Sequence, residues 1–171
     1  ETLLNAAELL RAEPFTFLLI GSGPSKELLK ATASDAGLTN VHFLPRTSRG
    51  CVLSTMALAD MLYVGIAPGS LYRFGIGLNK IFDAMFIGKP IVAAYTSGND
   101  PVQEAGCGIT SEARDADGVT DAMRQIRSMP DERRSEMGRR GHEFVIENHD
   151  YEKLADRFLG VIQQARDSAL P

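Results

Sequence analysis

The sequence lacks several features that would assign a protein to a class at once. It has two cysteines, Cys51 and Cys107, far apart and without metal-ligand spacing, which favours buried free thiols. No apolar run approaches the roughly 18 residues of a membrane-spanning helix. The chain opens on Glu1 and an amphipathic segment, without the basic start and apolar core of a signal peptide. These absences favour a cytoplasmic location.

An excess of basic residues is also absent. Lys and Arg number 18 against 22 Asp and Glu, so the formal net charge is −4 and we expect no nucleic-acid partner. A hydrophobic content of 44% and a charged content of 23% are ordinary for a globular fold. The length of 171 residues fits one domain or a large part of a two-domain protein. Because the chain does not begin with Met, we expect a further segment to precede it.

Apolar segments alternate between the spacing of strands and that of helices. Short apolar runs bounded by Gly or Pro predict buried strands, and apolar residues at helical spacing predict helices. The predicted strands cover residues 15–20, 41–44, 61–66 and 91–94, with a short edge strand at Ile109. The predicted helices cover residues 2–13, 25–36, 48–59, a short helix ending at Gly88, 101–105, 119–129, 131–147 and 151–165. This order predicts an α/β fold over residues 1–171, in which helices cover both faces of a Rossmann-like parallel sheet.

The stretch over residues 74–90 contains a glycine-rich loop that leads into a helix. Gly75 and Gly77 lie in the loop, and Asp83 lies off the apolar face of the helix. The start of such a helix suits a phosphate, because it offers backbone N–H groups and the positive end of the helix dipole. The Asp83 carboxylate could accept hydrogen bonds from sugar hydroxyls. A second glycine-rich loop follows the first strand at residues 21–24. Since ligands bind beyond the carboxyl ends of parallel strands, we expect the two loops to meet there.

Other nucleotide-binding and catalytic motifs are missing. Lys26 stands where a dinucleotide fingerprint needs its third glycine, and the strand at 41–44 is followed by Pro45 and Arg46 rather than an acid. Hydride transfer is therefore disfavoured. The sequence contains neither a P-loop nor a Gly-x-Ser-x-Gly hydrolase elbow. The histidines have no metal-ligand spacing, so we expect no metal; they are His42, His142 and His149.

Five segments occur in an informative order. They are Gly-Ser-Gly-Pro at 21–24, Val-His-Phe-Leu at 41–44, Ala-Asp-Met-Leu-Tyr at 59–63, Asn-Lys-Ile-Phe-Asp-Ala-Met at 79–85 with Gly-Lys-Pro-Ile-Val at 88–92, and the segment at 99–108. In this order, residues 1–165 resemble the C-terminal, nucleotide-sugar-binding half of family-4 glycosyltransferases, which have the two-domain GT-B fold. Within that family the chain is most similar to bacterial sugar transferases of capsule, O-antigen and exopolysaccharide assembly.

The resemblance implies a donor-binding site. It places the first loop against the donor diphosphate and Arg46 beside the nucleobase, while Asp83 binds the ribose hydroxyls. Gly75 takes the position of the family's first acidic residue, which usually holds the donor sugar. The residues placed against the diphosphate by this resemblance are Gly21, Ser22, Gly23, Pro24, Gly77, Leu78, Asn79 and Lys80.

The resemblance also implies an activity. We expect metal-independent, retaining transfer of a hexosyl or N-acetylhexosaminyl group from a nucleoside-diphosphate sugar, UDP being favoured, to an acceptor in cell-surface polysaccharide assembly. The nucleotide sugar is a substrate and no cofactor is expected. An N-terminal domain preceding Glu1 would hold the acceptor and the phosphate-clamping Arg and Lys, and the final helix, about 151–166, would pack toward it. No nucleophile is assigned, the chain alone is expected to be inactive, and the whole protein is expected in the cytoplasm at the inner face of the membrane.

Alternatives remain at the level of function and of single residues. A nucleotide-sugar 2-epimerase shares this fold, and a non-catalytic nucleotide-binding module is the third class. Lys80 and Asp83 could be solvated helix residues, whereas Arg73 and Glu104 could be further donor contacts. Tyr72 and Phe74 could pack on a nucleobase, on a sugar or in the hydrophobic core. The basic pairs at 133–134 and 139–140 suit a solvated face of ion pairs better than a patch for an anionic membrane.

Overall fold

Helices and strands alternate along the chain in the computed structural model, which describes residues 1–168. Within this range there are eight α-helices, five strands and one 3₁₀-helix at Ser70–Phe74. The strands are β1 (Phe17–Ile20), β2 (Val41–Leu44), β3 (Leu62–Gly65), β4 (Ile91–Ala94) and β5 (Gly108–Ser111). The helices are α1 (Thr2–Leu9), α2 (Lys26–Asp35), α3 (Arg49–Leu58), α4 (Asn79–Ile87), α5 (Pro101–Glu104), α6 (Ala116–Ser128), α7 (Asp131–Asn148) and α8 (Tyr151–Ser168).

All strand pairs are parallel, as predicted, but they form two sheets rather than one. β1 pairs with β2, and β4 lies between β3 and β5. Phe17 donates its N–H to Asn40 of the β2 side, and Leu62 donates its N–H to Pro90 of the β4 side. Because alternate residues point to opposite edges, Leu18 and Tyr63 direct their backbone groups to the other edges of β1 and β3. Those edges have no strand partner within residues 1–168, which is why the sheet divides there.

Helices pack on both faces, as the alternation predicts. One core joins α1, α2 and α6 to residues of both sheets, and the other joins α4 and α5 to the opposite face of the three-stranded sheet. β4 is buried on both faces, with Val92 and Ala94 in the first core and Ile91 and Ala93 in the second.

The element boundaries differ from the predicted ones where turns replace regular structure. α1 ends at Leu9 rather than at residue 13, since the N–H groups of Arg11 and Glu13 bond in turns. α6 begins three residues earlier than predicted, because the Asp115 carboxylate accepts a 2.8 Å hydrogen bond from the N–H of Gly118. The predicted edge strand at Ile109 is confirmed as β5.

Helix α8 has no buried residue. The apolar residues predicted for one face are exposed, Phe158 to 67%. Packing of this face toward a further domain stays a prediction. None of the helices in the described part of the chain is both long and apolar enough to cross a lipid bilayer.

Candidate functional site

The glycine-rich loop and the start of α4 present a row of backbone amides. Gly75 has φ 124°, a conformation that favours glycine, and Ile76 behind it is buried. Leu78 caps α4 with no side-chain hydrogen bond. The N–H groups of Leu78, Asn79 and Lys80 have no hydrogen-bond acceptor within residues 1–168. Such amides and the positive end of the helix dipole form a site for an anion.

The loop is held by the segment that follows β4. The Oγ of Ser97 and the N–H of Gly98 both donate to the carbonyl oxygen of Tyr72, at 3.0 and 2.9 Å. The Oδ1 of Asn99 accepts from the N–H of Ile76 at 2.6 Å, and Nδ2 of Asn99 donates to the carbonyl oxygen of Ile76 at 3.2 Å. In the sequence, Asn99 stands out only as the start of a motif. Its contacts depend on a fold that brings residues 23 positions apart together.

Asp83 lies about one turn into α4 and pairs with a residue that the sequence did not single out. Arg49 Nη2 is 2.9 Å from Asp83 Oδ1, and the two side chains are 77% and 42% exposed. The second carboxylate oxygen, Oδ2, makes no hydrogen bond to other groups of the described chain. Arg46, predicted beside the nucleobase, is exposed. It lies between β2 and α3, three residues before Arg49.

Lys80 directs its charge toward the end of β3. Its Nζ donates to the carbonyl oxygen of Gly65 at 3.2 Å. The ammonium therefore lies near the amide row, at the carboxyl end of the three-stranded sheet. This is the edge at which ligands bind in open α/β sheets.

The loop at 21–24 is braced by Lys26. Lys26 Nζ donates to the carbonyl oxygens of Gly21 and Leu44 at 2.6 and 2.5 Å, and so joins the carboxyl ends of β1 and β2. The sequence presented Lys26 only as a departure from a dinucleotide fingerprint. The expected meeting of this loop with the loop at 75–77 is not seen as a hydrogen bond within residues 1–168. The structure thus groups Gly75 to Asp83 at one sheet and residues 21–24 at the other.

A cavity of about 590 Å³ lies between the loops that follow β3 and β4. Arg73 lines it, and its guanidinium lies 4.5 Å from the ring centre of Phe74. Phe74 is 76% exposed, so the core alternative for this residue is wrong, whereas Tyr72 packs partly into the second core. The remaining residues that line the cavity are Pro68, Gly69, Ser70, Thr96, Ser97 and Gly98.

A second cavity, of about 580 Å³, lies beyond β4 and β5. Tyr95 donates its hydroxyl to Asp100 Oδ1 at 2.6 Å, and the same oxygen accepts from the N–H groups that begin α5. Burial, and then the neighbouring Asp100, raise the pKa of Tyr95 above its ordinary value. The carboxylates of Glu112 and Asp115 also line this cavity and are engaged by Thr96 and Gly118.

The basic residues of α7 are mostly paired with acids, as a solvated face predicts. Glu136 accepts hydrogen bonds from Arg139 and Arg140, which lower its pKa to about 2. Arg139 also pairs with Glu143. No three His, Cys, Asp or Glu side chains of residues 1–168 are grouped so that they could hold a metal ion.

Comparison with known proteins assigns the family. The model of the family described as "Glycosyl transferases group 1" matches residues 1–128, so the chain belongs to this family. The predicted fold class and the resemblance stated above are thereby confirmed.

Relatives of known name match parts of the chain. A GDP-mannose-dependent alpha-(1-6)-phosphatidylinositol monomannoside mannosyltransferase of Mycobacterium tuberculosis is 26% identical over 168 residues, which are 95% of this chain and 43% of that protein. D-rhamnosyltransferase WbpZ of Pseudomonas aeruginosa is 31% identical over 85 residues, 50% of this chain and 21% of that protein. The chain thus spans less than half the length of these relatives.

Solved structures support the same fold. Sucrose-phosphate synthase from Thermosynechococcus elongatus superposes with a TM-score of 0.77 at 21% identity, over 98% of this chain and 42% of that one. The C-terminal domain of a glycosyl transferase group 1 family protein (LpcC) from Francisella tularensis gives a TM-score of 0.70 at 17% identity, over 88% and 78%. At these identities the similarity concerns the fold alone.

Proposed function

We propose that this chain binds the nucleoside-diphosphate sugar of a glycosyltransferase, and that the whole protein transfers the sugar to an acceptor. The observation that carries the proposal is the amide row at residues 78–80, with Asp83 about one turn further along the same helix. A diphosphate carries the negative charge that the amides and the helix dipole favour. A carboxylate about one helical turn beyond the phosphate site is suited to accept hydrogen bonds from ribose hydroxyls.

The residues divide the donor between them. The amide row at 78–80 and the amide of Gly77 before it face the diphosphate, and the ammonium of Lys80 lies close by. Oδ2 of Asp83 accepts from the ribose while Oδ1 stays paired with Arg49. The loop at 21–24, braced by Lys26, and the exposed Arg46 meet the diphosphate and the base from the two-stranded sheet.

The chemistry follows from the leaving group. Departure of the nucleoside diphosphate leaves an oxocarbenium-like carbon and places negative charge on the phosphate oxygens. Fixed N–H groups and an ammonium directed at those oxygens stabilise the charge as it develops. We propose transfer that retains the anomeric configuration and needs no metal ion. The acceptor would bind to a part of the same protein outside this chain. We place the whole protein in the cytoplasm, at the inner face of the membrane.

The base is the finer part of the proposal. The resemblance to polysaccharide transferases favours UDP, and S. aureus TarM, which has this fold with a TM-score of 0.76, was solved with UDP. The mannosyltransferase relative is named as GDP-mannose-dependent. We propose UDP as the nucleotide and test GDP beside it.

A thermal-shift titration with UDP, GDP, ADP and NAD at millimolar concentration tests the proposal. A ligand that binds only the folded chain raises its stability by RT ln(1 + [L]/Kd). We expect UDP to raise the melting temperature and NAD to leave it unchanged, with the UDP shift diminished in Asp83→Ala. A shift with GDP alone would correct the base. No shift with UDP or GDP, or a shift with NAD alone, would contradict a nucleotide-sugar site.

A further inference from the structure

We infer that Asn99 is a positioning residue that fixes the diphosphate-binding amides, an inference that rests on the proposed function. Asn99 lies outside α4 and outside the amide row. It holds Ile76, two residues before that row, at both of its backbone groups. Asn99 therefore acts on the anion through another residue.

The side chain of Asn99 pairs with the backbone of Ile76 as a neighbouring strand would, through one acceptor and one donor. The N–H and the carbonyl oxygen of Ile76 have no other hydrogen-bond partner in the part of the chain that the structure describes. Ile76 is only 5% exposed, so water cannot easily replace these bonds. A primary amide has one acceptor and one donor side by side, and therefore matches a backbone N–H and C=O together. An apolar side chain of the same size would leave both groups of Ile76 without a partner.

Two glycines allow the approach. A side chain at Gly75 would place its Cβ 3.3 Å from Asn99 Oδ1, and φ 124° at Gly75 is a conformation that other residues rarely adopt. A Cβ at Gly98 would collide with the carbonyl oxygen of Arg73. Glycine at these two positions thus lets the loop before α4 and the loop after β4 approach closely enough for the Asn99 amide to reach Ile76.

The segment that contains Asn99 is anchored on both sides. Asn99 follows β4, which is buried on both faces, and precedes Asp100, whose carboxylate caps α5. Ile76 is two residues before Leu78, the first amide of the row. The amides are therefore tied to the centre of the three-stranded sheet as well as to their own helix. Loss of this tie lets the loop move, and a mobile loop binds phosphate less tightly because binding must then order it.

The test compares Asn99→Ala with Thr96→Ala. Thr96 lies in the same loop and donates to Glu112, but within residues 1–168 it makes no hydrogen bond to Ile76 or Asn99. Isothermal titration gives Kd for UDP and for inorganic pyrophosphate, and ligand-observed NMR gives Kd for uridine. We expect Asn99→Ala to raise Kd about tenfold for UDP and pyrophosphate, and less than about twofold for uridine. Thr96→Ala should change none of the three by more than about twofold.

The selective loss for ligands with phosphate is the result that a merely structural role would not produce. Hydrogen exchange adds a second readout, since the amides of Ile76 to Lys80 should exchange faster in Asn99→Ala and not in Thr96→Ala. If Asn99→Ala does not fold, Asn99→Asp decides the question. It keeps the acceptor for the Ile76 N–H and loses the donor above the pKa of the new carboxyl group. Its affinity for pyrophosphate, taken relative to that of the unsubstituted chain at the same pH, should therefore recover as the pH falls toward 4.

The outcomes separate the inference from the proposed function. Unchanged affinity for UDP and pyrophosphate in Asn99→Ala, with binding by the unsubstituted chain, overturns the role of Asn99 alone. An equal loss for uridine and pyrophosphate also overturns it. If the unsubstituted chain binds none of UDP, GDP and pyrophosphate, the proposed function fails and the inference fails with it.

Discussion

The guanidinium Nη2 of Arg49 lies 2.9 Å from Oδ1 of Asp83 and joins the start of α3 to α4. The pair leaves Oδ2 of the carboxylate without a partner in residues 1–168. An Asp83 side chain held by one oxygen is already oriented, so less conformational freedom is lost when a ribose hydroxyl binds to the other oxygen. Arg49 therefore supports the binding role proposed for Asp83.

This pair gives a graded prediction for UDP binding. Asp83→Ala should weaken binding by roughly 1–3 kcal/mol, because it removes hydrogen bonds to a charged group. Arg49→Ala should weaken it by about 0.2–1 kcal/mol, since the exposed pair orients the carboxylate only modestly. Isothermal titration measures both. Asp60→Ala is the control, because Asp60 is exposed and remote from α4 in sequence. Tighter binding in Arg49→Ala would show that Arg49 competes with the ribose.

Lys26 should stabilise the fold because it donates hydrogen bonds at the carboxyl ends of β1 and β2. Lys26→Met keeps the apolar stem and removes the hydrogen bonds to Gly21 and Leu44, so it should lower the free energy of unfolding by roughly 1–2 kcal/mol. Lys30→Met is the matched control. Among the described residues Lys30 pairs only with exposed Glu27 on the same helix, and its loss should cost less than about 0.5 kcal/mol. Urea unfolding measures both, and equal effects would contradict the bracing role.

Two helical glycines should respond to alanine with opposite signs. A Cβ at Gly138 of α7 would collide with the carbonyl of Gly88 at the end of α4, so Gly138→Ala should destabilise the fold by roughly 1–3 kcal/mol. Apart from the neighbouring backbone of its own helix, a Cβ at Gly160 of α8 would meet no atom of residues 1–168 within 4 Å. Gly160→Ala should therefore stabilise the chain by up to about 1 kcal/mol through helix propensity. Thermal unfolding of the two variants tests the close approach of α4 and α7, and similar shifts would argue against it.

Stability should fall at alkaline pH. Burial raises the pKa of the Cys107 thiol to about 12, and burial together with Asp100 raises that of Tyr95. Both groups stay protonated in the folded chain while they ionise in the unfolded one, so above about pH 9 the unfolded state binds fewer protons. Their contribution is complete below that pH and is lost as the pH rises toward the folded pKa values.

Urea unfolding between pH 7 and 10.5 measures this loss. The free energy of unfolding should decline by up to about 1.4 kcal/mol per pH unit for each such group above its unfolded pKa. Cys107→Ala should have a shallower decline than the unsubstituted chain, whereas Cys51→Ala should match it because Cys51 is exposed. A free energy that stays level to pH 10.5 would contradict the burial of both groups.

Local pattern was enough to predict most elements. Both β2 and β4 have the predicted bounds, because each is a short apolar run with turn residues at its ends. The end of α4 was also predicted, since Gly88 follows its apolar face and ends the helix in the left-handed conformation. Each of these sequence signals involves only a few neighbouring residues. They could not reveal that the sheet divides between β1 and β3, which depends on which edges find partners.

Local spacing and the order of segments were sufficient to predict the α/β class, the family and the glycine-rich loop that leads into α4. Which side chains support the amide row that follows this loop depends on long-range packing. Asn99 reaches Ile76, Arg49 reaches Asp83 and Lys26 joins two strand ends through contacts between distant parts of the chain. Asn, Arg and Lys are common surface residues with no local signature, and they acquire these roles only when packing places one acceptor or donor opposite them.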